Sequence, residues 1–251
     1  MSERKHVVAR RVAVALAALL AVAVVAMVWY VNDYYRADEV ALAAASDANG
    51  DADGVSVREV SPKALAFVPA QPTAGLVFYP GAKVQPEAYA PLMQRLAQHG
   101  ILCVLVRPTF NLAILDANAA DGIQAQFPEV RRWGIAGHSM GGVAAADFAS
   151  RHAQDFSAVA FLASYPSADL TGFGGSSLTI VGTSDGVLNR DRCAEAKKDL
   201  PAAASERDIE GGNHAYFGNY GEQAGDGQAT ISREDQQEQT AEAIASMLAA
   251  A

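Results

Sequence analysis

The chain has 251 residues, 51% of them hydrophobic, with two cysteines and a formal charge of −9. That length holds one well-cored domain plus an appendage, and the acidic balance excludes a nucleic-acid partner, because no basic face is present to neutralise phosphates. Two cysteines make no disulfide framework, and no CxxC or HExxH spacing supplies a metal site, so neither metal nor cofactor is expected.

The first predicted element is a transmembrane helix over residues 12–31, an uncharged apolar run ending in Trp29, Tyr30 and Val31. Such a run makes about 30 Å of helix, the thickness of a bilayer's hydrocarbon core. Arg4, Lys5, Arg10 and Arg11 precede it in a basic flank (1–11), whereas Asp33, Asp38 and Glu39 face a lone Arg36 after it. The positive-inside rule then leaves the N-terminus in the cytoplasm and the rest outside a bacterial-type cell membrane. A cleaved signal peptide is the rival reading, with Ala43-Ala44-Ala45-Ser46 as its small residues, but its apolar region should be shorter, about 7–15 residues.

Residues 32–54, rich in Ala, Asp and Gly, read as a linker. Asp47 to Gly54 imitates a calcium loop, but no register places both the turn glycine and the terminal glutamate. From 55 to 251 strands and helices alternate. Strands are predicted at Val55–Val60, Ala64–Val68, Gly75–Tyr79, Ile101–Val106, Arg132–Ala136, Ala158–Ala163, Leu178–Gly182 and Ser205–Ile209. Helices are predicted at Pro86–His99, Asn111–Phe127, Gly142–Ala149, Asp191–Asp199 and Glu234–Leu248. Nearly continuous apolar strands alternating with helices predict an α/β fold, a mostly parallel sheet covered on both faces. Cys103, inside one such strand, is expected to be a buried thiol; Cys193 lies in a polar run.

The chemistry begins at Gly137-His138-Ser139-Met140-Gly141, a G-x-S-x-G run between a strand and a helix. This setting lifts a serine clear of the backbone as a nucleophile, and the glycines avoid a collision where the chain folds back. A serine hydroxyl needs a base. Of the five histidines, His6 belongs to the basic flank, and His99 and His152 end helices. His138 is turned away inside the serine's own turn. His214, in a glycine-containing loop after the last strand, stands at the sheet edge where α/β folds bind ligands. The orienting carboxylate should lie between serine and histidine in chain order; Asp185 fits, and Asp169 competes. Oxyanion donors are expected from the backbone N–H groups of Met140 and of Ala82, in the loop after the first buried strand. Lys83 beside it is either a contact for an acidic substrate or a solvated surface residue.

Gly137–Gly142, Thr183-Ser184-Asp185-Gly186 and Gly211-Gly212-Asn213-His214, in that order, resemble the α/β-hydrolase superfamily. Phe78-Tyr79-Pro80-Gly81, Glu87–Leu92, Ala163–Pro166 and the tail Gly221–Gln237 are similar to a bacterial group of small, often membrane-anchored α/β-hydrolases, loosely related to dienelactone hydrolases. The resemblance spans about residues 75–240 and implies Ser139, Asp185 and His214 as the catalytic triad. Dienelactone hydrolases carry a cysteine nucleophile, whereas this turn carries Ser139, so the implied activity is general ester hydrolysis.

Too few residues separate the strands near Ala163 and Leu178 for a helical cap, which predicts a shallow, open site. Tyr165, Phe173, Tyr216, Phe217 and Tyr220 are either its lining or packing anchors. The expected function is a serine hydrolase that cleaves small carboxylic esters through an acyl-enzyme. An acyltransferase or thioesterase would use the same triad, and water set against alcohol or amine acceptors separates them. A catalytically silent surface-displayed binding module would leave Ser139 unlabelled by a fluorophosphonate.

Overall fold

The structure is a computed structural model describing residues 2–46 and 54–251; the run 47–53, which carries most of the calcium-loop imitation, lies outside the described residues. It divides into two compact units, 1–34 and 35–251. The first is one helix, α1 (Ser2–Asn32), built from alanine, valine and leucine without glycine or proline to interrupt it. Its 27 residues from His6 to Asn32 are long and apolar enough to cross a membrane. Leu19, Val25 and Trp29 all stand exposed on it.

The second unit is built on an eight-stranded sheet. Its strands are β1 (Val55–Ser61), β2 (Ala64–Pro69), β3 (Ala74–Tyr79), β4 (Ile101–Val106), β5 (Trp133–His138), β6 (Ala158–Leu162), β7 (Ser176–Gly182) and β8 (Ala203–Ile209). They lie in the order β1-β2-β4-β3-β5-β6-β7-β8. β1 and β2 form an antiparallel hairpin that joins β4 antiparallel, and from β4 to β8 every pairing is parallel. In β3, Val77 pairs with Val104 on one side and Ile135 on the other. The chain order therefore reverses about β3, and the crevice beyond its C-terminal end is where such sheets bind ligands.

Alternation along the strands divides the core. Leu76, Phe78, Cys103 and Leu105 point to the face covered by α3 (Ala90–Gln98) and α6 (Arg233–Ala250). Val77, Tyr79, Val104 and Val106 point to the face covered by α4 (Met140–Arg151) and the stretch 113–130. Helix α5 (Arg190–Ala196) starts at Asn189, whose side chain accepts from Arg192 N–H. Cys103 is buried in β4, where desolvation pushes its thiol up, and both cysteines are free.

Two segments differ from the sequence reading. Residues 35–46, read as linker, belong to the sheet-containing unit: Tyr35 bridges to Val84, and α2 (Glu39–Ala44) is capped by Asp38. Ala41 and Ala44 are buried against the α3 side, where Gln94 Nε2 donates to Ala44 O at 3.0 Å. Methyl-sized side chains let this short helix sit close, so an alanine-rich segment that reads as solvent tether packs instead. The predicted helix at 111–127 is a chain of single 3₁₀ turns, at Thr109–Asn111, Ala113–Leu115 and Gln124–Gln126. Asp116 Oδ2 accepts from both Thr109 N–H and its hydroxyl, which holds the backbone in a turn where a helix would need it elsewhere.

Leu92 on α3 is wholly buried, so Leu92→Ala should lower the unfolding free energy by about 2–5 kcal/mol, whereas Arg192→Ala on the surface should change it by no more than about 0.5 kcal/mol. Urea titration of the two variants checks the difference.

Candidate active site

The structure gathers Ser139, Asp185 and His214 at the C-terminal edge of the sheet, each after a different strand. Ser139 follows β5 with φ 52° and ψ −124°, a backbone that L-residues avoid. Its conformation is held from both sides: the Ser139 N–H donates to Leu162 O at 2.9 Å, and its carbonyl accepts from the Ser164 hydroxyl at 2.7 Å. Space forces glycine nearby. A Cβ on Gly137 would lie 2.3 Å from the Gly141 carbonyl, and one on Gly141 would lie 2.3 Å from Tyr79 O.

Asp185 follows β7 and His214 follows β8. Asp185 Oδ2 meets His214 Nδ1 at 2.9 Å, both side chains being essentially buried. The other oxygen, Oδ1, accepts from the N–H groups of Val187 and Leu188, each at 2.8 Å. Burial alone would raise the Asp185 carboxyl; the His214 hydrogen bond, the His214 charge and those two N–H donors outweigh it, and the group lies below its ordinary range. A carboxylate at Nδ1 fixes the neutral imidazole with its proton on that nitrogen and its lone pair on Nε2. His214 Nε2 is buried and has no hydrogen-bond partner among the described residues. The competitor Asp169 stands in an exposed turn, where its Oδ1 accepts from Thr171 N–H and hydroxyl, so the two predicted carboxylates are separated by their surroundings.

The loop after β3 contributes main chain. Gly81 N–H donates to Tyr89 Oη at 3.0 Å and Lys83 N–H to Asn111 O at 2.8 Å. No acceptor takes the Ala82 or the Met140 N–H among the described residues. Met140 opens α4, so its N–H adds to the positive end of that helix.

Four supporting side chains escaped the sequence reading. Asp226 reaches the loops bearing Asp185 and His214 together: its carboxylate accepts from Gly186 N–H (3.1 Å), His214 N–H (3.2 Å) and Ala215 N–H (2.8 Å). Gln236 on α6 pairs with the Asn213 main chain in both directions, at 2.9 and 2.7 Å. Tyr89 Oη, which accepts from Gly81 N–H, also hydrogen-bonds His138 Nδ1 at 2.7 Å. The His138 ring lies 4.5 Å from the His214 ring, and burial first, then the neighbouring His214, hold His138 neutral well below the ordinary imidazole range. A glycine-flanked aspartate at Gly225-Asp226-Gly227 was the one local signal; the rest depends on distant partners.

The aromatics divide. Phe173, Phe217 and Tyr220 are buried packing residues, Tyr216 lies half-buried beneath the Arg233 guanidinium at 4.6 Å, and Tyr165 is also half-buried. A cavity of about 420 Å³ opens beside the base loop, lined among others by Asn213, Tyr216, Glu222, Gln223 and Asp226. The thirteen residues between β6 and β7 contain no helix, so no cap stands between these strands.

Residues 75–238 match the model of the alpha/beta hydrolase family, and the chain belongs to that family. Among solved structures it is similar to Est1E from Butyrivibrio proteoclasticus, at 13% identity and TM-score 0.56 over 78% of this chain and 99% of that one. Est1E with ferulic acid bound gives the same TM-score and identity over 79% and 98%. A hydrolase described as CIB-like from Thermoplasma acidophilum follows at 14% identity and TM-score 0.54, covering 77% of this chain and 100% of that one. No curated protein shows significant sequence similarity to the chain.

Two predictions belong to this site. Asp226→Ala should speed hydrogen exchange at the His214 and Ala215 amides and cost about 2 kcal/mol of stability, since three N–H groups lose a charged acceptor. His138 is held neutral in the fold but takes a proton near 6.5 once unfolded, so below that pH the unfolded chain binds the extra proton. Stability should therefore rise with pH through about 5 to 6.5, by up to about 1.4 kcal/mol per unit from this group. Urea titrations across that range should show the slope reduced in His138→Asn.

Proposed function

We propose that the sheet-containing unit is a serine esterase that cleaves small carboxylic esters, with Ser139 as nucleophile, His214 as general base and acid, and Asp185 as the group that orients His214. The observation that carries this reading is the buried Asp185–His214 hydrogen bond, which leaves Nε2 of His214 unpartnered on a ring 4.5 Å from that of His138, the residue before Ser139. His214 Nε2 takes the Ser139 hydroxyl proton as Oγ attacks the acyl carbon. The tetrahedral oxyanion then forms against the N–H groups of Ala82 and Met140, donors that the fold leaves free. Collapse of that intermediate passes the proton from His214 to the leaving alcohol and gives an acyl-enzyme. Water then enters with its proton drawn to the same nitrogen, and hydrolysis restores Ser139. Asp185 remains a carboxylate throughout, in keeping with its lowered range.

In the same proposal α1 is a single-pass anchor with its basic flank in the cytoplasm and the esterase outside. Its length, its composition and the charge asymmetry about it support that orientation. The fold shared with Est1E makes aryl and feruloyl esters reasonable members of a substrate panel.

Ser139→Ala should reduce turnover of a short-chain aryl ester by at least about 10³-fold with the circular dichroism spectrum unchanged, and should abolish labelling by a fluorophosphonate. Undiminished turnover in that variant would sink the assignment.

A further inference from the structure

The proposed ester hydrolysis leaves an apolar rim at the mouth of the site unexplained. Outside α1, the large hydrophobic side chains left exposed among the described residues are Val40, Leu42, Phe110, Ile114, Leu115 and Met140. The last four lie on the segments that follow β4 and β5, at the sheet edge where Ser139 stands. Met140 follows it directly, the turn Ala113–Leu115 packs against α4, and Asn111 accepts from the Lys83 N–H of the oxyanion loop. Phe110, Ile114 and Leu115 are 50, 60 and 58% exposed. Burying such side chains in full is worth about 1.5–3 kcal/mol each, a gain this fold forgoes. The display is also strained. Phe110 and Asn111 have φ of 57° and 56°, a conformation that costs an L-residue about 1 kcal/mol or more and here turns Phe110 into solvent.

A second observation says what lies near that rim. α1 ends at Asn32, and Tyr35 is already fastened to the other unit: its N–H donates to Lys83 O at 2.7 Å, and its carbonyl accepts from Gln85 N–H at 2.8 Å. Only Asp33 and Tyr34 intervene, and three peptide steps reach at most about 11 Å. This limit is covalent and holds for any arrangement of the helix and the sheet-containing unit. A ladder of main-chain hydrogen bonds thus runs from the chain leaving α1, through the loop bearing Ala82, to the foot of the rim at Asn111.

A third observation concerns what a substrate needs. With no cap between β6 and β7, an acyl chain leaving Ser139 has no helix from that connection to cover it, and each methylene left in water forgoes about 0.8 kcal/mol. The cavity beside the base loop is lined by Glu222, Gln223 and Asp226, which suits a polar group and not an acyl chain.

Building on the esterase and single-span readings, we infer that Phe110, Ile114 and Leu115 seat in the lipid surface from which α1 emerges, and that the substrates are carboxylic esters of membrane-resident amphiphiles. The lipid keeps the acyl chain out of water while the ester group reaches Ser139. The chemistry is unchanged: the acyl–oxygen bond breaks, the alcohol leaves with a proton from His214, and water releases the acid.

The test uses the full chain reconstituted in phosphatidylcholine vesicles. Ile114→Cys in a Cys193→Ser background, with Cys103 wholly buried, takes an environment-sensitive fluorophore at the rim. A blue-shifted emission quenched by doxyl-labelled lipid is expected; emission as in water, unquenched, overturns the lipid seat and leaves the rim to a protein partner. Separately, the combined Phe110→Asp, Ile114→Asp and Leu115→Asp variant should hydrolyse a soluble short-chain aryl ester within about twofold of the wild type. It should lose at least tenfold on a long-chain aryl ester embedded in the vesicles, and equal effects on the two esters overturn the substrate class. If the wild type hydrolyses neither ester and takes no fluorophosphonate, the esterase reading fails instead, while the fluorophore still decides where the rim sits.

Discussion

The buried hydrogen bond between Asp185 and His214 places the most expensive demand on this fold. A carboxylate taken out of water loses several kcal/mol of hydration, and only donors already in place can offset that loss. Val187 and Leu188 supply two N–H groups to one oxygen and His214 supplies the third contact, so both oxygens are used. Those donors belong to loops following different strands, and the pair exists only while β7 and β8 keep their register, Gly182 opposite Ile209. The space is correspondingly tight: a Cβ on Gly182 would lie 2.4 Å from the Gly212 carbonyl, and one on Gly227 would lie 1.9 Å from Ser184 O. Asp226 and Gln236 then tie the same loops to the C-terminal segment, which explains why the tail after β8 folds back over the site before α6 begins.

What could be read from the sequence follows from how local each cause is. Ser139 sits in a turn whose glycines are adjacent in the chain, and His214 and Asp185 each follow an apolar strand, so periodicity and punctuation were enough to single them out as candidates. The parallel sheet was legible for the same reason, since Ile101–Val106 is apolar on both faces and is buried along its whole length. Gln236 was not legible, because its role lies in two hydrogen bonds to a main chain 23 positions away. Tyr89 was read as helix core, and it is buried; what spacing hid is a hydroxyl joining Gly81 to His138. The stretch 111–127 misled because its apolar residues recur at helical intervals, while Asp116 bonds backward and Gly122 adopts φ 71°. The segment before the sheet misled in the opposite sense, since small side chains carry little hydrophobic signal yet permit close packing at Ala41 and Ala44.

The strain in this backbone is not scattered. The residues other than glycine with positive φ, among those described, are Lys83, Phe110, Asn111, Ser139 and Ala163. They follow β3, β4, β5 and β6 in turn, all on the edge of the sheet where the strands end. Each costs on the order of 1–3 kcal/mol, and such conformations persist only where the surroundings over-determine them. Here the strands do so. β3 is hydrogen-bonded on both sides and buried on both faces, so the loop that leaves it cannot relax by shifting the strand. Ser139 is held by Leu162 and Ser164, and Lys83 by Tyr35 and Asn111.

The same rigidity extends to the chain that follows α1. Within three residues of α1 the chain is hydrogen-bonded to the loop after β3, at Lys83 and Gln85, and it continues into a capped helix. Tyr35 also packs its ring 5.5 Å from Tyr220, and its hydroxyl accepts from Ala224 N–H. Two main-chain hydrogen bonds at Tyr35, and not a free linker, thus join the residues that follow α1 to the loop that bears Ala82.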